Sequence, residues 1–239
     1  GEVAAAPLPP VKQLARTSER IFAISEEEPQ LVYYSKTFED GISPEFSGTL
    51  VVSFGDGVSL TALGSMDDKV VVFEEDTTHV IYGPGPNNTT SSGSFQVLRV
   101  SGDIGCVVPG SIVNTPDGLM FQSQRGIHLL DRALKLHYIG GPVEDVLVGT
   151  DIVDARVVAK YSEIRFLTFT NGTGVTPPFG PGFPSPANEI VTRFGNTNDF
   201  ATCLVYNYER KKWSVFRNYQ GNASTIYQGN YTRIKNNWE

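Results

Sequence analysis

Residues 105–140 read GCVVPGSIVNTPDGLMFQSQRGIHLLDRALKLHYIG, and their punctuation decides the fold class. Ser111 to Thr115 is apolar and β-branched, as a half-buried strand requires. Asp117-Gly118 follows as a tight turn, with Gly supplying the positive φ of a two-residue hairpin. Leu119 to Ser123 returns, Arg125-Gly126 turns again, and Ile127 to Leu130 returns once more. A fourth segment, Leu134 to Ile139, places Leu134, Leu136 and Tyr138 on one face. Four short antiparallel strands in succession form a meander, the unit from which propeller blades are built.

The same rhythm extends in both directions. Upstream, Leu60 to Met66, Lys69 to Glu75 and Thr78 to Tyr82 read as a three-strand meander turning at Asp67-Asp68 and Asp76-Thr77. A Pro/Gly/Asn/Ser loop at Gly83 to Gly93 separates it from a strand at Phe95 to Val100. Nearer the start, Ile21 to Ile24 and Leu31 to Ser35 are strands around an acidic turn. Thr37 to Val52 reads as a loop plugged by Phe38 and Phe46, and Val11 to Arg20 as a helical turn or a first strand.

Downstream, Ile152 to Lys160 and Ile164 to Thr170 make a hairpin, and Cys203 to Tyr208 with Trp213 to Arg217 makes another. Thr225 to Tyr231 begins a further strand. First-hairpin turns fall near residues 18, 67, 117 and 162, at intervals of 49, 50 and 45. Recurrence at roughly 40–50 residues is the propeller signature. The expectation is an all-β, β-propeller-like array of antiparallel four-stranded blades. Residues 1–18 form an entry segment, and residues 19–239 hold about four units plus the start of another. A Pro/Gly-rich insertion occupies 171–198. The start at Gly1 and the stop inside a new unit read as an incomplete segment of a larger protein.

Composition agrees. Charged residues are 19% of 239, beside 24 Gly, 15 Pro, 14 Phe and 10 Tyr, which favours strands and turns over helices. The net charge of −7 argues against a surface that coats nucleic acid, which needs an excess of Lys and Arg. Cys106 and Cys203 each lie in or beside apolar stretches and read as buried thiols. No apolar run is long enough to span a membrane.

No reaction centre emerges from the residues. His79, His128 and His137 belong to no metal-binding spacing, and no Gly-x-Ser-x-Gly elbow is present. Asp67/Asp68 and Glu74/Glu75/Asp76 read as solvated turn residues, and Arg210-Lys211-Lys212 as a hairpin tip. Gly83-Pro84-Gly85-Pro86 lacks the amide donors of a phosphate loop. Sequons at Asn88, Asn171, Asn222 and Asn230 read as chance matches in an Asn/Thr-rich chain. Catalytic, cofactor and metal residues are therefore expected to be none, and the chain is expected not to be an enzyme.

The succession Leu60-Thr-Ala-Leu, Asp67 to Phe73, Val80-Ile-Tyr-Gly-Pro-Gly-Pro86, Ser101 to Ser111 and Pro116 to Leu130 resembles the β-propeller region of tail nozzle and hub proteins of short-tailed bacteriophages, including the packaged-DNA-stabilisation type. Leu204 to Tyr208 with Trp213 is similar to that family's blade ending, and the resemblance covers roughly Ile21 to Phe216. It implies a non-catalytic virion protein of the phage tail, made in the host cytoplasm. It also implies a self-assembled ring of six copies, a homohexamer beneath portal and adaptor, through which double-stranded DNA passes. Insertion in a membrane and cofactors are not implied. The alternatives are a propeller module that recognises a host glycan or protein, through loops such as Gly83 to Gly93, and a propeller hydrolase.

Overall fold

The structure is a computed structural model and describes residues 4–55, 57–88, 93–148, 150–169, 201–219, 223–227 and 230–234. It is all-β. The first blade holds β1 (Val11–Arg16), β2 (Ile21–Ser25), β3 (Leu31–Tyr34) and β4 (Val51–Ser53). The second holds β5 (Ala62–Met66), β6 (Lys69–Phe73), β7 (Thr78–Tyr82) and β8 (Gln96–Ser101). The third holds β9 (Val113–Thr115), β10 (Gly118–Ser123), β11 (Gly126–Asp131) and β12 (Leu136–Tyr138). The fourth holds β13 (Ile152–Val158), β14 (Glu163–Phe169), β15 (Ala201–Asn207) and β16 (Lys212–Tyr219). In each blade every strand pairs antiparallel with the next in sequence. A hairpin, β17 (Ala223–Tyr227) with β18 (Asn230–Ile234), follows.

The first strands of successive blades, β1, β5, β9 and β13, stand beside one another, and β17 stands beside β13. Blades stacked face to face around their first strands make a β-propeller-like array. Period-two alternation then sends each strand's side chains to two different seams. Val70 and Val72 pack against Phe22, Ile24 and Val32 of the first blade. Their neighbours Val71 and Phe73 pack against Leu119 and Phe121 of the third. Met120, between those two, joins Ile152, Ile164 and Phe166 of the fourth. Both faces of the inner strands are covered, so β6 is an unbroken apolar run rather than an alternating one.

Several boundaries differ from the sequence reading. The array begins at Val11, because β1 lies within the expected entry segment and pairs with β2 from Val11 to Arg16. The loop Thr37 to Val52 ends in β4, which pairs with β3. The strand after the Gly83 loop is β8, the outer edge of the second blade, so that meander has four strands. Ser111 sits in a 3-10 turn, and Leu134 is a turn residue with φ 61 rather than part of β12. The turn residues are Pro116-Asp117 and Gln124-Arg125, one place before the expected positions. Gly118 and Gly126 open the returning strands instead. Gly118 has φ 146, and an added Cβ there would run into the Leu130 carbonyl oxygen. The segment 171–198 lies outside the described residues.

Candidate functional site

The polar side chains gather at the joints between blades. Asp67-Asp68 forms the β5–β6 turn with φ of 49 and 57, a mirror-image hairpin turn made without glycine. Asp tolerates that conformation because its short polar side chain bonds locally. Here the bonds cross to neighbouring blades. Asp68 Oδ1 accepts the Ser18 N–H at 2.9 Å, which holds its carboxyl below the usual carboxylate range. Asp67 pairs with Arg132 of the third blade, whose Nε also donates to the Pro116 carbonyl at 3.0 Å. One blade further on, Asp117 pairs with Lys211. The β1–β2 turn makes the corresponding reach through Arg20, whose Nη2 donates to the Pro86 carbonyl.

Along the first and second strands the joints are made by amides. Gln13 donates to the Leu63 carbonyl at 3.2 Å and accepts its N–H at 3.0 Å. Asn114 donates to the Ser65 carbonyl at 3.1 Å. Gln122 donates to the Thr150 carbonyl at 3.0 Å and accepts the Ile152 N–H at 2.7 Å. On the opposite turn face Gln124 donates to Glu75 at 2.8 Å. Ser18–Asp68 and Gln13–Leu63 are each 50 residues apart, and Asn114–Ser65 and Gln124–Glu75 each 49. That separation equals the repeat interval, so these bonds join equivalent levels of successive blades. A search of the sequence for polar residues one repeat apart would have found three of them, but not Gln13–Leu63, where the partner is the backbone of an apolar residue; the reading as solvated turns found none.

Groups that could carry chemistry are arranged for structure. Burial pushes the Cys106 thiol up to about 12 and the Cys203 thiol up to about 11, and neither forms a disulfide. A thiol held protonated is a poor nucleophile. Ser123 Oγ lies 3.1 Å from His128 Nδ1, a pair that the sequence reading missed. The same hydroxyl accepts the Arg125 N–H at 2.9 Å and lies 3.2 Å from the Gly126 carbonyl, locking the β10–β11 turn. His128 is packed between Phe121 and Tyr138. His79 is edge-on to Phe54, 3.5 Å from Glu74, and burial lowers its pKa. His137 sits 2.7 Å from Asp131 at an exposed strand end. Asn88, of the first sequon, accepts the Thr37 N–H at 2.9 Å and so ties two loops together. Among the described residues no three His, Cys, Asp or Glu side chains are placed to hold a metal ion, and no helix is long and apolar enough to cross a membrane.

A concavity lies on the seam between the first two blades. A cleft of about 330 Å³ opens between the first and second blades on the face of the Asp67-Asp68 turn. Phe22, Val70, Ile81 and Phe95 contribute apolar lining, while Glu19, Asp67, Asp68 and Lys69 bring charge. Arg20 also lines it and is only 3% exposed. Its Nη1 donates to the Ser35 carbonyl at 2.7 Å, and its guanidinium lies 5.5 Å from the Tyr34 ring centre and 5.7 Å from that of Phe95. Its buried Nε has no hydrogen-bond partner.

No protein-family model matches the chain, and no curated protein matches it. Among solved structures the chain is similar to PorZ, an essential bacterial surface component of the type-IX secretion system of Porphyromonas gingivalis. The identity is 11% and the TM-score 0.38, over 90% of this chain and 29% of that one. The chain thus spans under a third of PorZ's length. A likeness at that level says nothing of function here, and the propeller-like assignment stands on the sheet topology.

Proposed function

We propose that the chain is a structural part of a virion, a propeller segment of the tail nozzle or hub of a short-tailed bacteriophage. In this role it helps to continue the DNA channel below the portal, to retain the genome and to release it. The reading rests on the resemblance of the Leu60 to Leu130 blades to that family. The structural observation that supports it is the use of polar side chains: Asp67, Asp68, Asp117, Gln13, Gln122 and Arg132 all join blades. Joints repeated at every seam suit a body that must keep its shape under load, and a reaction centre would require the same groups to converge. The net charge of −7 suits a passage that repels phosphate and so does not stall DNA. The partners of this role are other copies of the protein in a ring, portal or adaptor proteins, and passing DNA.

The test is electron microscopy and mass photometry of the full-length protein, alone and with the adaptor ring. A closed ring, six-fold with an axial hole, is the expected result. A monomer under both conditions, together with absence from purified virions, would overturn the reading.

A further inference from the structure

We propose that Asp40 is a site of covalent self-modification, converting to isoaspartate through a cyclic imide with Gly41, and that the fold denies the same reaction to Asp117. Both residues precede glycine, which has no side chain to shield its backbone nitrogen from attack. Asp40 and Gly41 are the central pair of a turn closed by the Ile42 N–H on the Glu39 carbonyl at 3.1 Å, with Gly41 at φ 80. Glu39 to Pro44 are all exposed, and a Cβ on Gly41 would meet nothing within 4 Å. Among the described residues neither the Asp40 carboxyl nor the Gly41 N–H has a hydrogen-bond or ion-pair partner. A rotation within this open turn brings the carboxyl onto the Gly41 nitrogen, and no contact opposes it. Asp117-Gly118 has the same two residues in opposite surroundings. Gly118 is buried, its N–H donates to Thr115 Oγ1 at 3.2 Å, and the Asp117 carboxylate pairs with Lys211. Ring closure there must break both bonds and shift the start of β10 against the Leu130 carbonyl. A further Asp-Gly pair begins at Asp56, which lies outside the described residues.

The reaction needs no co-reactant but water. The Gly41 nitrogen attacks the side-chain carboxyl carbon of protonated Asp40, a C–N bond forms, and the carboxyl hydroxyl leaves with the nitrogen's proton as water. Water then opens the five-membered imide at either carbonyl. Opening at the side-chain carbonyl restores Asp. Opening at the main-chain carbonyl leaves the chain running through the side-chain carbon, which is isoaspartate, and lengthens the backbone by one methylene. The change falls beside Glu39, whose carboxylate accepts from Asn88 Nδ2 at 3.2 Å. Asn88 also accepts the Thr37 N–H at 2.9 Å and donates to the Thr37 carbonyl at 3.4 Å. These bonds tie the β3–β4 loop to the β7–β8 loop, so the modification loosens the rim between the first and second blades. The site stands independently of the tail reading, because the chemistry lies within a single turn.

The test stores the full chain at physiological temperature for several weeks, folded in buffer and, in parallel, unfolded in guanidinium chloride. Peptides from a protease digest are separated by chromatography, and electron-transfer fragmentation distinguishes aspartate from isoaspartate, which have equal mass. In the folded chain isoaspartate is expected to accumulate several-fold faster at position 40 than at position 117. In the unfolded chain the two rates are expected to converge, because the ion pair and the turn that protect Asp117 are gone. Asp40→Glu, which cannot close a five-membered ring, is expected to abolish the signal at position 40 and leave position 117 unchanged. It lies at an exposed turn, and an unaltered melting temperature shows that it is folded. No isoaspartate at position 40, equal rates at the two positions in the folded chain, or a gap of the same size after unfolding would overturn the proposal. None of these outcomes bears on ring formation.

Discussion

The seam between the second and third blades and the seam between the first and second solve one packing problem in different ways. The former is closed by apolar contact. Phe73 and Phe121 meet with ring centres 4.6 Å apart, both fully buried, and Met66, Leu119 and Leu130 fill the space around them. The latter has an aromatic cluster as well, Phe22, Tyr34 and Phe95, but places a guanidinium within it. It also leaves a cleft at its rim. A propeller seam can therefore have an all-apolar centre or one pinned by a buried charge, and the pinned seam opens into the cleft. Burying a charge is costly unless its hydrogen bonds are made, so Arg20 constrains the geometry of its surroundings more than an apolar residue would.

The comparison is broken most directly at the closed seam. Phe121→Ala empties a fully buried site between blades and is expected to destabilise the chain by about 3–5 kcal/mol, measured by urea unfolding. A loss below 1 kcal/mol would show that the seam can collapse around the missing ring.

At the pinned seam, Arg20→Met keeps the stem's bulk and removes the donors. The Ser35 and Pro86 carbonyls then lose a charged partner, with an expected loss of about 1.5–3 kcal/mol. Equal or greater stability in Arg20→Met would mean that apolar packing alone holds this seam, as happens when some buried ions are replaced.

Acid is expected to weaken both seams. Burial lowers the pKa of both His79 and His128. A histidine with a depressed folded pKa stabilises the neutral-pH fold fully above its unfolded value, about 6.5, and that stability is lost as pH falls below it. At each, other groups partly offset burial: Glu74 raises His79 while Arg99 lowers it, and the Gly126 carbonyl and Asp103 raise His128 while Arg125 lowers it. Melting temperature is expected to drop between pH 7 and pH 5, and His79→Gln and His128→Gln are each expected to flatten the drop. An unchanged pH profile in either variant would show that its seam does not feel that histidine's protonation.

How much of this was legible depended on whether the cause was local. Strands β6 and β10 are written in consecutive apolar residues, and their turns in Asp, Pro and Gly, so the meander and its repeat could be read directly. Strand β4 could not, because three residues, Val51–Ser53, after a long loop carry no periodicity; tertiary pairing with β3 makes them a strand. The sequence reading sets each of these turns one residue late, because the glycine's positive φ is needed where the strand restarts, beside Leu130 at Gly118, and not within the turn. The cleft was hidden for the opposite reason. Its walls come from Phe22, Val70, Ile81 and Phe95, which every local rule assigns to ordinary core, and only the stacking of two blades sets them around Arg20.

The smallest expected effect tests whether the turn-face ion pairs fasten blades or merely decorate them. Asp117 and Lys211 belong to the third and fourth blades, with side chains 35% and 55% exposed. A pair so open to water contributes about 0.2–1 kcal/mol and weakens with salt. A double-mutant cycle of Asp117→Asn and Lys211→Met should therefore return a coupling in that range at low salt and close to zero at 1 M salt. Asp67–Arg132 differs in one respect, since Arg132 also donates to the Pro116 carbonyl and so grips the next turn by its backbone. Its cycle should keep more of its coupling as salt rises. If both couplings vanish together, the joints between blades reside in the apolar seams and the buried amides, and the acidic turns serve solubility.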